Sequence, residues 1–125
     1  MSTLDRVNQL VMQLLRDTNS GLVSWHSTGA PDYFDFATDD VISEYYTAHY
    51  FDVEVAVYEA RYKYYFDEDN YTWSADARFA IMRNGMVIHD QRHSSPALSN
   101  LLVSARGVAG GLNSILDSLL SPRQY

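Results

Sequence analysis

His89, Asp90, Arg92 and His93 fall within one short stretch of the chain. Two imidazoles and a carboxylate are donors that could hold zinc or exchange a proton with a substrate. His89 and His93 are therefore the candidate metal ligands. Their setting argues against that chemistry. His89 belongs to a strand and His93 to the turn that follows, so the side chains need not converge. There is no H-E-x-x-H helix and no third ligand. The simpler reading is a polar strand end that leads into a helix, with Asp90 near the helix N-terminus. No metal and no other cofactor is expected.

The remaining chemical motifs are equally sparse. Asp67-Glu68-Asp69-Asn70 is acidic like a calcium loop, but it lacks the glycine at the sixth position and the distal glutamate. It reads as a solvated hairpin turn. Gly107-Val108-Ala109-Gly110-Gly111 sits inside a helix rather than after a strand, so it is not a dinucleotide fingerprint. No serine occupies a Gly-x-Ser-x-Gly elbow. The chain has no cysteine, which removes disulfides, thiolate nucleophiles and cysteine zinc sites. Four histidines, no cysteine and no catalytic motif point to binding rather than to an enzyme.

Composition narrows the partners. The chain of 125 residues carries a net charge of −7, and its nine basic residues include one lysine, Lys63. A scattered basic set gives no electrostatic footprint for nucleic acid, so direct DNA or RNA binding is not expected. No apolar stretch approaches a membrane span. Met1-Ser2-Thr3-Leu4-Asp5 shows no basic region followed by an apolar run, so no secretory leader is expected. A cytoplasmic setting follows. Ten residues are tyrosine. Tyr45, Tyr46 and Tyr50, with Trp25, could surround a nucleotide-like small ligand in a cleft between the sheet and the 38–51 stretch. Stacking platforms of that kind usually sit beside positive charge.

The elements that would position these residues follow from periodicity. Leu4, Val7, Leu10, Val11, Leu14 and Leu15 recur at helical spacing. Ser2 or Thr3 caps that helix, Asp5 lies in its first turn, and Gly21 ends it. Leu22 to His26 reads as a short strand, Ser27 to Asp32 as a loop, and Tyr33 to Phe36 as a further strand. Thr38 to Tyr50 reads as a helix or irregular excursion, although its tyrosines and Val41-Ile42 suit a strand as well. Val53–Phe66 and Tyr71–Arg83 form a long hairpin. Setting Phe66 opposite Tyr71 brings Arg61 against Asp76 and Glu59 against Arg78, both favourable cross-strand pairs. Asn84-Gly85 makes a type I′ turn to Met86–Gln91, with Ile81 opposite Ile88 and Met82 opposite Val87. Ser95 caps a second helix with Pro96 at its first position. Its apolar stripe runs from Leu98 to Leu119 and is interrupted at Gly107, Gly110 and Gly111. Residues 121–125 read as a frayed tail.

The expected fold is one α+β domain over residues 1–125. It has two layers, an antiparallel β-meander of four to five strands with the N- and C-terminal helices on one face. The chosen register turns Tyr58, Tyr62, Tyr64, Trp73 and Phe79 toward the helices. It leaves Val55, Val57, Ala80, Met82 and Val87 as an apolar patch on the other face. Such a patch marks a protein partner or a homodimer, unless the 38–51 stretch folds back over it.

Three groups of residues carry a resemblance. They are the opening helix running into Gly21-Leu22-Val23-Ser24-Trp25, the Asn84-Gly85 hairpin, and Ser95-Pro96-Ala97-Leu98 followed by Leu101-Leu102 and Ala105-Arg106. With them the chain resembles small uncharacterised bacterial and phage proteins built as helix, antiparallel meander and closing helix. That resemblance implies no enzymatic activity. It implies the setting of a small accessory protein such as a defence inhibitor, an immunity protein or an adaptor.

Overall fold

The computed structural model describes residues 2–34 and 39–121, and among these residues three helices of nine or more residues accompany a five-stranded antiparallel sheet. Helix α1 spans Thr3–Asn19. It starts where the Ser2 hydroxyl accepts a hydrogen bond from the Asp5 amide at 3.1 Å. Gly21 lies just beyond its end with φ +79°, a conformation that glycine adopts without the Cβ penalty. The strands follow as β1 (His26–Ser27), β2 (Val41–Tyr50), β3 (Val53–Tyr65), β4 (Tyr71–Arg83) and β5 (Met86–Gln91). They pair in the order β1-β2-β3-β4-β5, a plain meander. Helix α2 (Pro96–Ala109) opens on Ser95, whose hydroxyl accepts from the Leu98 amide. Helix α3 (Leu112–Leu120) begins after Gly111, which has φ +71°. The glycines thus end one helix and start another, as their low helical propensity favours.

The α+β class and the meander agree with the sequence reading, whereas several elements differ. The stretch read as a helix or excursion is strand β2 from Val41 onward. It is held to β3 by pairs from Val41↔Arg61 to Tyr50↔Val53. Its β-branched and aromatic content favours a pleated, half-buried surface over a helix. Leu22–Trp25 is not strand. Only His26 and Ser27 pair, with Thr47 and Tyr46. Tyr33 and Phe34 are helical rather than extended, while Asp35, Phe36 and residues 122–125 of the expected tail lie outside the described residues.

The largest correction concerns register. Tyr65, not Phe66, stands opposite Tyr71, so Glu59 faces Ala77 and Arg61 faces Ala75. The turn chemistry accounts for the slip. Asp67 Oδ1 accepts from the backbone amides of Asp69 at 2.9 Å and Asn70 at 2.8 Å, and the Asn70 amide group adds two more bonds. This Asx-type closure fixes a loop over 66–70. A shift of one residue moves one strand's whole side-chain set to the other face relative to its partner. The expected ion pairs are replaced by neighbours along one strand. Arg78 Nε binds Asp76 at 2.9 Å, and Arg78 Nη1 binds Asp40 at 2.8 Å.

As a result both faces of the sheet body are buried. On the helix face Tyr46, Ala48, Val55, Val57, Ala77 and Phe79 pack beneath Val7, Val11 and Leu14 of α1 and Leu98, Leu101 and Leu102 of α2. On the far face Tyr45, Ala56, Tyr58, Ala60, Ala80 and Met82 pack beneath Phe34, with Ala30 alongside. The segment that covers the far face is therefore the loop before β2, not the 38–51 stretch. At the other end of β4 the Asn84-Gly85 turn has φ 53° and 77°, as a type I′ turn requires. A bulge then pairs Ile81 with His89 instead of Ile88, while Met82 keeps Val87.

Candidate functional site

The apolar patch expected on one sheet face does not exist as a surface. Val55 and Val57 point to the helices and Ala80, Met82 and Val87 to the far face. The first four are buried. The tyrosine cleft is likewise dispersed. Trp25 is a core residue whose indole N–H donates to Thr18 Oγ1 at 3.0 Å. Tyr46 and Tyr50 share its side of the sheet. The Tyr46 hydroxyl donates to Glu44 at 2.7 Å, and the Tyr50 hydroxyl donates to Asp17 at 2.5 Å while accepting from Gln13. Tyr45 faces the other way and donates to Met82 Sδ at 3.4 Å. Burial pushes all three phenols above their ordinary range, so they remain neutral hydrogen-bond donors.

His89 lies on β5, and His93 follows two residues after its end. His89 Nε2 lies 3.0 Å from Gln91 Oε1 on its own strand. Among the described residues no group of three or more His, Cys, Asp or Glu is placed to hold a metal. Asp90 points to the far face, where it accepts from the Tyr58 hydroxyl and from Arg92 Nε. Burial, then the Asp90 hydrogen bond, pushes Tyr58 far upward. With Arg78 held between Asp40 and Asp76, and its guanidinium 5.8 Å from the Tyr62 ring, these groups are fully engaged in holding the far face together.

Apolar surface lies uncovered elsewhere, and two elements gather several such side chains on one face. The first is α3. It is nine residues long and buries none of them. Leu112, Ile115, Leu116 and Leu119 recur at helical spacing and form one stripe, exposed by 40 to 60 %. An isolated helix of this length is marginal in water, and a helix in a folded domain usually turns its apolar stripe inward. The second is the outer half of the β3–β4 hairpin. Both strands have thirteen residues, but β2 reaches only as far as Arg61 and β5 only as far as Phe79. Beyond those points the hairpin is a two-stranded ribbon.

One face of that ribbon carries Arg61, Lys63 and Tyr65 on β3 and Tyr71 and Trp73 on β4, in pairs Lys63↔Trp73 and Tyr65↔Tyr71. The rings form a ladder, with Tyr65 and Tyr71 centroids 5.4 Å apart and Tyr71 and Trp73 6.3 Å apart. The cations lie against the rings. Lys63 Nζ is 4.7 Å from the Tyr71 centroid and 5.7 Å from that of Trp73, and the Arg61 guanidinium is 6.0 Å from Trp73. Cation–π and aromatic contacts of this kind stabilise a ribbon that has no further strands to lean on. Tyr65, Tyr71 and Trp73 stay 43 to 56 % exposed. Val41, Arg61 and Trp73 line a shallow depression of about 230 Å³ at the ribbon's root.

The two uncovered elements are rooted side by side. Arg106, in the last turn of α2, clamps Glu44 with two bonds of 2.7 and 2.5 Å. Glu44 in turn faces Glu59, two positions before Arg61 on β3. The bidentate guanidinium holds the Glu44 carboxyl below its usual range, with burial opposing. Helix α3 thus departs from a turn pinned beside the ribbon, on the same side of the sheet. Sequence reasoning assigned the α3 leucines and Trp73 to the core. The signal that separates them is length, since thirteen-residue strands outrun a ten-residue and a six-residue neighbour. No helix among the described residues is long and apolar enough to cross a membrane.

Compared with known protein families, curated proteins and solved structures, the chain matches none.

Proposed function

We propose that the chain is a non-enzymatic interaction module. It acts by binding another protein, as an adaptor, immunity protein or inhibitor does, and so suits a small bacterial or phage accessory role. The observation that supports this is α3, a helix with an apolar stripe and no buried residue. Leaving Leu112, Ile115, Leu116 and Leu119 in water forgoes most of the 1.5–3 kcal/mol or so that burying each such side chain contributes. A partner that covers the stripe recovers it. The engaged state of Tyr45, Tyr46, Tyr50 and Trp25 gives a small ligand no shared cleft, so the tyrosine-lined ligand site is the weaker reading.

The test is a pair of variants. Ile115→Asp with Leu119→Asp changes only exposed positions and should shift the melting temperature by no more than about 4 °C. Met12→Asp, on the exposed side of α1, is the control. A stoichiometric partner should be captured by the unaltered protein and by Met12→Asp and lost with the α3 variant. Equal capture of the same partner by all three would refute the reading.

A further inference from the structure

The order of groups along the ribbon leads to a proposal that does not depend on α3. Passing outward from the sheet, the helix-side face presents the cations Arg61 and Lys63 and then the Tyr65–Tyr71 pair, and the ribbon ends in the exposed acidic loop that contains Glu68 and Asp69. Along the chain Lys63 lies two residues to one side of Tyr65 and Asp67 two residues to the other. A two-fold axis that lies between two ribbons packed face to face, crosses their long direction at a right angle and passes at the level of the Tyr65–Tyr71 pair exchanges the two positions. Tyrosines then meet tyrosines, and each cation arm meets the other copy's acidic loop. A patch that complements itself under rotation is what a two-fold dimer interface demands.

We infer that the outer ribbon is a self-association surface, and that its occupant is the ribbon of a second copy of this chain packed face to face and antiparallel. Charge decides between this and other occupants. A net charge of −7 disfavours like-with-like contact over most of the surface, yet here opposite charges meet at both ends of an aromatic centre. Tyrosine, tryptophan and arginine are also the residue types that dominate binding at interfaces. The ribbon lifts this face clear of the sheet body, so a second copy can approach it. The contact is confined to the short outer ribbon, whereas stable interfaces bury ~800 Å² per partner, so the dimer is weak and reversible and loosens as salt screens the end contacts.

Sedimentation velocity over a series of rising protein concentrations tests it, using charge reversal at exposed positions. Arg61→Glu with Lys63→Glu makes both arms acidic. Glu68→Lys with Asp69→Lys makes the loop basic and spares Asp67, which holds the turn. Each variant alone should sediment as a monomer at concentrations where the unaltered protein dimerises, and an equimolar mixture of the two should dimerise again. A merely structural role for these side chains predicts no such rescue. Fluorescence of the unaltered protein gives a second readout that needs no variant. Trp25 is 2 % exposed and Trp73 47 %, so emission should shift to the blue with concentration as Trp73 is covered. An unaltered protein that stays monomeric throughout, or a mixture that stays monomeric, overturns the inference. So does a dimer that survives in either variant alone. Ile115→Asp with Leu119→Asp should leave the dimer in place, which separates this outcome from the fate of the partner-binding reading.

Discussion

The two halves of the β3–β4 hairpin share one backbone pairing and differ in everything laid upon it. In the inner half, from Val55 to Ala60 and from Ala77 to Met82, side chains are buried on both faces, under helices on one side and under Phe34 on the other. In the outer half the rings of Tyr65, Tyr71 and Trp73 stay 43 to 56 % exposed. Hydrogen bonding and strand propensity are alike in both halves, so the difference in cover sets their energetics. Stability resides in the inner half. The outer half offers aromatic and charged surface to another molecule.

Substitutions at matched sites should expose that contrast most sharply. Phe79→Ala, in the inner half at 0 % exposure, should cost about 3–5 kcal/mol in a denaturant titration. Trp73→Ala, on the same face of the same strand, removes cross-strand contacts only and should cost no more than about 1 kcal/mol. Equal costs would erase the distinction.

The next effect lies at the boundary. Arg78 is largely buried between Asp40 and Asp76, which are themselves partly open to water. Arg78→Met keeps the bulk but leaves two carboxylates facing each other. We expect a loss of about 2–3 kcal/mol, below the full figure for a wholly buried pair. A denaturant titration reads the loss, and a variant as stable as the unaltered protein would mean that packing, not charge, holds this edge.

The smallest effect concerns the clamp beside which the ribbon and α3 depart. Arg106 lowers the Glu44 carboxyl below its unfolded value. Stability from the pair is therefore present above the ordinary glutamate range and lost as pH falls through the lowered folded value. Both side chains are partly exposed, so its size is about 0.5–1 kcal/mol. Arg106→Gln should reduce stability at neutral pH by that amount and merge with the unaltered protein once the pH has fallen below the lowered Glu44 value. A difference that persists at low pH would place the role of Arg106 in packing rather than charge.

Much of this fold was legible in residue pattern. Ser2, Ser95-Pro96 and Asn84-Gly85 act through local backbone chemistry, and each does in the structure what its type implies. The class and the meander followed from their spacing. What was not legible depended on a single residue of register. Charge pairing favoured one alignment of β3 and β4, whereas the Asp67 side chain closing on Asn70 imposes the other. The two alignments differ by few local contacts but exchange the faces of an entire strand. The patch drawn from Val55, Val57 and Met82 failed because that slip turns Val55 and Val57 to the helices, while Met82 is covered on the far face with Phe34. Strand β2 was missed because its bulge at Ile42/Glu44 breaks the alternation that marks a strand. The exposed α3 stripe was visible as periodicity, but whether a helix buries its stripe is decided by where the sheet ends.

Hydrogen exchange on dilute, monomeric protein examines the division itself. Amides of the inner hairpin, such as those of Val57 and Phe79, should exchange only through global unfolding, with free energies near the full stability of the domain. Amides of residues 62–65 and 71–75 and of α3 should exchange through local opening, faster by at least about a hundredfold. Uniform protection along the whole hairpin and through α3 would show that these regions belong to the cooperative core, and would contradict the account.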